Sequence, residues 1–213
     1  MMTSALDPAD PPAGIHLSAL AGYAGLPGAV QGVGFWPRAL ARVIDMAVHF
    51  AASAFAGILF TILLVIAGGG HVAPLVLAKL QRLTFVSFVL SLLGSVAYHT
   101  ICEGVSGRSL GKAVLFMVVV QEDGGPCRLG SALIRSLAYL VDALFFGAVG
   151  YFAMQRTPQE QRYGDEWAHT IVCKRSEAPA GSLRSGGRFA VAFMCAVLVD
   201  IALAMVGLLA KIT

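Results

Sequence analysis

Charge is the first thing this sequence lacks. Asp, Glu, Lys and Arg make up 13% of its 213 residues, against about 25% in a soluble domain. Hydrophobic residues reach 57%, above the usual range of about 45–50%. A soluble fold this poor in charge would struggle to cover its surface, whereas lipid requires no such cover. Paired cysteines are missing too. Cys102, Cys127, Cys173 and Cys195 are scattered without a C-x-x-C spacing, so neither a zinc site nor a disulfide framework is expected. There is no nucleophile elbow and no H-E-x-x-H helix, and an enzyme, a metal site or a cofactor is not expected. GVSGRSLGK has neither the spacing of a phosphate loop nor a Ser or Thr after Lys112. The net charge of +3 is small, and no nucleic-acid partner is expected. Residues 1–33 lack the basic n-region of a secretory signal peptide; rich in Pro, Gly and Ala, they read as a disordered cytoplasmic tail.

Four long apolar runs are present instead. Residues 43–67 are interrupted only by Asp45, His49, Ser53 and Thr61. Residues 83–101 carry no charge, 136–154 only Asp142, and 189–210 only Asp200. A hydrocarbon core of about 30 Å takes roughly 20 helical residues, and all four runs approach or exceed that. The expected class is an all-α integral membrane protein with three to four transmembrane helices. Phe35 and Trp36 suit the headgroup level, Pro37 suits a first helical position, and the glycines at 68–70 end the first helix. A loop with Lys79 and Arg82 leads to a second helix ending at Glu103 and Gly104. AVLFMVVV, followed by the turn signal EDGG, and HTIVCK at 169–174 read as short strands that pair outside the membrane.

Lys and Arg favour the cytoplasmic side. With four full crossings they divide seven against eight, which is no bias. If the run 136–154 instead enters and leaves on one face, bending near Gly147 or Gly150, the division becomes twelve against three, with Lys79, Arg82 and Lys211 the minority. That arrangement also lets the two strands meet. Three crossings plus a re-entrant or interfacial helix pair, packed against the first helix, is the favoured topology.

Arg38, Arg42, Asp45 and His49 form one stripe along one helix face, which should turn toward protein, with Arg42 placed to pair with Asp45. His49 reads as a packing residue rather than a ligand. RSLAYLVD (Arg135 to Asp142) matches RALARVID (Arg38 to Asp45) in its R-x6-D spacing, and internal repeats often build a membrane site at their interface. Asp200 has no basic neighbour in sequence before Lys211; it could face water, pair with Arg38 or Arg135, or mediate assembly. The cluster His99, Cys102 and Glu103 is weak evidence for a metal. RYGDEWAHT supplies Asp165 and Thr170, with Asp165 placed to turn a loop, cap a helix or pair with a basic residue.

GFWPRALARVID before a spanning segment, then EGVSGRSLGK, an R-x6-D segment and YGDEWAHTIV resemble the RDD family of bacterial and archaeal membrane proteins. The resemblance covers 34–175, leaving a linker at 176–188 and an additional helix at 189–213. It places the family arginine on Arg38 and the first aspartate on Asp45, with Asp165 and Asp142 as candidates for the second. Glu166-Trp167 and the added last helix depart from the usual pattern. Some members resemble sodium–proton antiporters, so two functions are expected. One is ion or small-solute transport with Asp45 and Asp142 titrating, by a homo-oligomer in a prokaryotic cell membrane. The other is a non-transporting assembly or regulatory module in which Arg38, Asp45 and Asp165 are structural.

The topology is checked by labelling single cysteines at Gln81, Gln121 and Gln159 from each side of the membrane. Re-entry of 136–154 is expected to place the last two together, opposite the first.

Overall fold

In the computed structural model, which describes residues 30–68, 78 and 84–212, the apolar runs become helices of unequal length. Helix α1 (Phe35–Ala67), α2 (Phe85–Ser106) and α7 (Gly186–Ile212) are long and apolar enough to cross a bilayer. Each spanning window is less than a quarter buried inside the protein (17%, 22% and 17%). Phe50, Phe55, Ile58, Phe88, Met194 and Leu198 face outward. Only lipid makes such a surface stable. The protein is a multi-pass membrane protein.

Between α2 and α7 the chain forms α3 (Leu110–Val114), β1 (Met117–Gln121), α4 (Leu129–Asp142), a 3-10 turn (Leu144–Gly147), α5 (Ala148–Met154), α6 (Tyr163–Trp167) and β2 (Thr170–Lys174). The run 136–154 is thus a broken helix pair. Its bend falls at Gly147, whose φ of 88° suits glycine. At 14 and 7 residues, α4 and α5 reach only about 21 and 10 Å, too short to cross. As expected, the pair lies against α1: Phe35 meets Tyr151 edge-on at 5.4 Å, and Arg42 lies 3.8 Å from the centre of the Tyr139 ring.

The strands pair antiparallel, from Met117 opposite Lys174 to Gln121 opposite Thr170. The Val33 N–H donates to Val172 O at 2.8 Å, tying the chain ahead of α1 to the sheet. Val33, Ala41, Val119, Ala132 and Val172 form the core beneath it. A second seam joins α2 to α7 through Tyr98, Cys102 and Ala196.

The R-x6-D similarity extends into three dimensions. Helix α3, Phe116 at φ 54° and β1 correspond, at one constant sequence spacing, to α6, His169 at φ 51° and β2. Val119 pairs with Val172, its own counterpart, at the middle of the ladder. The two copies are therefore related by a local two-fold through that pair. The first copy has two spanning helices; in the second they shrink to α4 and α5.

Several sequence expectations change in detail. Helix α1 starts at Phe35, placing Pro37 third; every N–H of the first turn lacks a helical partner, so proline fits there as well. Helix α2 begins after a Thr84–Ser87 capping box and runs past Glu103 and Gly104. It stops at Gly107, which takes the left-handed conformation (φ 77°) that favours glycine. The strand-like run 113–120 is divided, its first residues closing α3. Helix α7 starts within the expected linker, which also holds a 3-10 turn at Ala180–Ser182. The tail at 1–29 and the loop with Lys79 and Arg82 lie outside the described residues. Gln121 is buried in β1, which leaves Gln159 as the more accessible labelling position on its side.

Gly111 brings α3 onto α1: a Cβ there would stand 1.9 Å from Ala41 O. Gly111→Ala is expected to lower stability by about 1–3 kcal/mol through overpacking, while Gly57→Ala, in mid-helix with nothing within 4 Å, is expected to raise it by up to about 1 kcal/mol. Thermal unfolding in detergent checks both.

Candidate functional site

Helix α6 is a single turn, and its purpose is visible at Asp165, which is fully buried. One carboxylate oxygen accepts from Arg38 Nη1 and the other from Arg135 Nη1. The Arg162 backbone N–H adds a bond of 3.1 Å, and Arg162 Nη2 stands 3.6 Å away. Both main arginines are held elsewhere as well. Arg38 Nε donates to Val33 O (2.6 Å) and Nη2 to Glu160 O (2.9 Å). Arg135 Nη1 donates to Thr170 Oγ1 (2.7 Å), and Nε donates to Glu103 Oε2 (3.2 Å). Lys112 Nζ completes the chain on Glu103 Oε1. The order is Arg38, Asp165, Arg135, Glu103, Lys112, with charges alternating throughout.

Burial pushes the Asp165 carboxyl up, but Arg135, Arg162 and Arg38 outweigh it and hold the group far below the ordinary carboxylate range. Burial would lower Arg135; Asp165 and Glu103 reverse that, leaving its guanidinium more firmly protonated. Lys112 is the exception: burial outweighs Glu103 and draws it below the usual lysine value.

The expected Arg42–Asp45 pair does not form. Asp45 instead accepts from Ser109 Oγ (2.6 Å), the Gly111 N–H (2.8 Å) and Tyr98 OH (3.1 Å). It is clamped to the N-terminus of α3 by neutral donors, while Arg42 stacks on Tyr139. His99 Nδ1 stands 4.0 Å from Asp45 and 3.5 Å from Glu103 without a hydrogen bond of good geometry.

Asp142 is the counterpart of Asp45 in the second copy, and its environment is the opposite. It is 2% exposed, yet neither oxygen has a hydrogen-bond partner among the described residues. Arg162 precedes α6 as Ser109 precedes α3, and its guanidinium turns toward Asp165. The Gly164 backbone lies beside the carboxyl without meeting hydrogen-bond geometry. Burial raises the Asp142 carboxyl above its ordinary range despite the opposing charge of Arg162.

Both copies face one chamber of about 500 Å3. Its wall includes Arg38, Arg42, Asp45, His99, Glu103, Lys112, Arg135, Tyr139, Asp142 and Arg162. Of the predicted residues, Arg38, Arg135, Asp165 and Thr170 form the network, and Arg42, Asp45 and Asp142 join it at the chamber. His49 lies apart, bonded to Asp200 and Ser91. Asp200 therefore pairs with histidine, not with Arg38 or Arg135. Sequence reasoning missed Glu103, Lys112 and Ser109 as working parts. Their signal lay in EGVSGRSLGK, where the spacing already set an acid, a hydroxyl and a base around a turn. Among the described residues no group of His, Cys, Asp and Glu is placed to hold a metal ion.

Three apolar spans, a broken helix pair and a buried arginine–carboxylate network define a small multi-pass membrane domain. The family model described as RDD family matches residues 33–169, and the chain belongs to that family. No curated protein matches the chain. No solved structure matches it. The match contains both candidate second aspartates; Asp165 is the one that Arg38 touches.

Asp165→Asn strands two buried arginines and is expected to lower stability by about 3–5 kcal/mol. Because the carboxyl is depressed in the fold, its contribution is complete above the unfolded value of about 4 and lost as pH falls toward the folded one. Acid unfolding of the wild type in detergent should show this loss, and the asparagine variant should show a smaller dependence over the same range.

Proposed function

We propose that this protein moves an ion or small solute across the membrane in exchange for protons, with Asp142 as the proton-carrying group. The observation that carries the reading is a buried carboxyl, without a hydrogen-bond partner among the described residues, on the wall of a chamber into which several charged side chains also face. A carboxyl raised by burial takes up a proton more readily than an exposed one. An ionisable group inside a membrane domain is by default a candidate for an ion or proton path. Asp45 is the weaker candidate, since three donors already occupy its oxygens.

The cations around the chamber are largely engaged: Arg38 and Arg135 by Asp165, Lys112 by Glu103, and Arg42 by the Tyr139 ring. A proton leaving Asp142 would create the one carboxylate there without a bonded partner among the described residues. That charge would draw in a cation or a cationic group of a solute. In this reading the protein is not an enzyme. It resides in a prokaryotic cell membrane with its N-terminus cytoplasmic, in line with the excess of Lys and Arg on that face. Three spans enclose little space, so it works as a homo-oligomer.

A second reading rests on the completeness of the ladder from Arg38 to Lys112. Fully paired ions conduct nothing, and such a network suits a module that assembles or regulates other membrane proteins. The two readings part in proteoliposomes carrying a pH-sensitive dye, challenged with Na⁺, K⁺ and Li⁺. Transport predicts cation-dependent proton flux that Asp142→Asn abolishes without loss of folded protein. Asp45→Asn is expected to reduce the folded yield instead. Absence of flux from folded wild-type protein would leave the second reading in place.

A further inference from the structure

A second polar site lies among the spanning helices and uses α7, which the family match at 33–169 does not reach. His49 of α1 has Nδ1 2.8 Å from Asp200 Oδ2 and Nε2 2.8 Å from Ser91 Oγ. Asp200 is 3% exposed and sits near the middle of α7. Gly94 makes room for it, since a Cβ there would stand 2.2 Å from Asp200 Oδ1. Beside the trio is a cavity of about 160 Å3, lined also by Ser53, Ser87 and Lys211. It extends toward the start of α2 and the end of α7, whereas the chamber adjoins the other end of α2.

The sequence Ser–His–Asp, with hydrogen bonds in that order, is also the arrangement of a nucleophilic triad. Acyl transfer further requires donors aimed at a developing oxyanion. Ser91 is inside α2, where the neighbouring backbone N–H groups are spent on helical bonds. The Ser87 hydroxyl is already donating to Thr84 O. Proton transfer makes no such demand. With Nδ1–H on Asp200, Nε2 is an acceptor. A proton arriving at Ser91 Oγ from the cavity, while the serine passes its own to Nε2, leaves an imidazolium on the carboxylate and an unchanged hydroxyl.

The geometry points to His49 and Asp200 as a proton-binding station, loaded through Ser91, that continues the route from Asp142 toward the opposite face. The relay role rests on the transport reading; the binding itself does not. The groups facing the pair are Ser53 and, one turn away, Asp45 from α1; Ser87 and Ser91 from α2; and Lys211 from α7. His49 is one turn, about 6 Å, from Asp45 along α1, which brings the station next to the chamber wall.

The test uses the full chain in liposomes with isotope-labelled histidine, His49 being assigned by its absence from the His49→Gln spectrum. Lowering the pH is expected to convert the His49 ring signals reversibly from the neutral to the doubly protonated form, a change altered by Asp200→Asn and retained in Asp142→Asn. In dye-loaded vesicles, His49→Gln and Asp200→Asn should each abolish cation-dependent proton flux, since each removes an ionisable group from the path. A His49 that keeps one charge state at every pH at which the protein stays folded overturns the station, whatever the flux. Wild-type flux that survives both substitutions overturns the relay. A titrating His49 in a protein without wild-type flux supports the binding site and removes the transport reading. Covalent capture of Ser91 by a fluorophosphonate would overturn the proposal in favour of acyl transfer.

Discussion

The fold depends on one fully buried carboxylate, Asp165, holding an arginine from each of two helices. Neither charge type tolerates such burial alone; together, with further bonds to Val33, Glu160, Thr170 and Glu103, they satisfy one another. That requirement fixes how α1, α4 and α6 meet. It also sets the positions of Asp45 and Asp142, two turns along their helices from the clamped arginines. The chamber is therefore a consequence of the clamp.

The local two-fold makes the comparison of Asp45 with Asp142 unusually direct. Equivalent carboxylates project toward equivalent one-turn helices, and the difference between them is chemical. In the first copy Ser109 supplies a hydroxyl and Gly111 an N–H. In the second, the place of Ser109 is taken by Arg162, which turns to Asp165. One carboxyl becomes a structural clasp and the other is left open. Shortening of the second copy follows the same division of labour. The first copy crosses the bilayer, while α4 and α5 only close the chamber against α1.

The pair His49–Asp200 answers a different need. Helix α7 would otherwise hold to α2 by small apolar contacts such as Ala196 against Tyr98 and Cys102. This polar contact, from α1 to α7 and through Ser91 to α2, favours one rotation and depth of α7, because a register that separated Asp200 from His49 would leave a carboxyl unpaired among apolar helices. The same contact brings an imidazole and a carboxylate together among the spanning helices.

The sequence by itself determined the class, a count of three to four spans and the two R-x6-D helices, and it favoured a bend in 136–154 and the pairing of two short strands; the tertiary structure chose three spans. Those features are local: hydrocarbon thickness sets a length, glycine permits a bend, and helical periodicity sets a face. Periodicity names the face of a charged residue but not what stands across from it. Arg42 and Asp45 are neighbours on α1, yet each finds its partner elsewhere, on Tyr139 and on α3. The partners of Arg38 and His49 lie on the far side of the chain, at Asp165 and Asp200. Only tertiary structure decided which ions were neutralised and which carboxyl stayed open, because pairing energy depends on distances of a few ångströms between segments that the sequence keeps far apart.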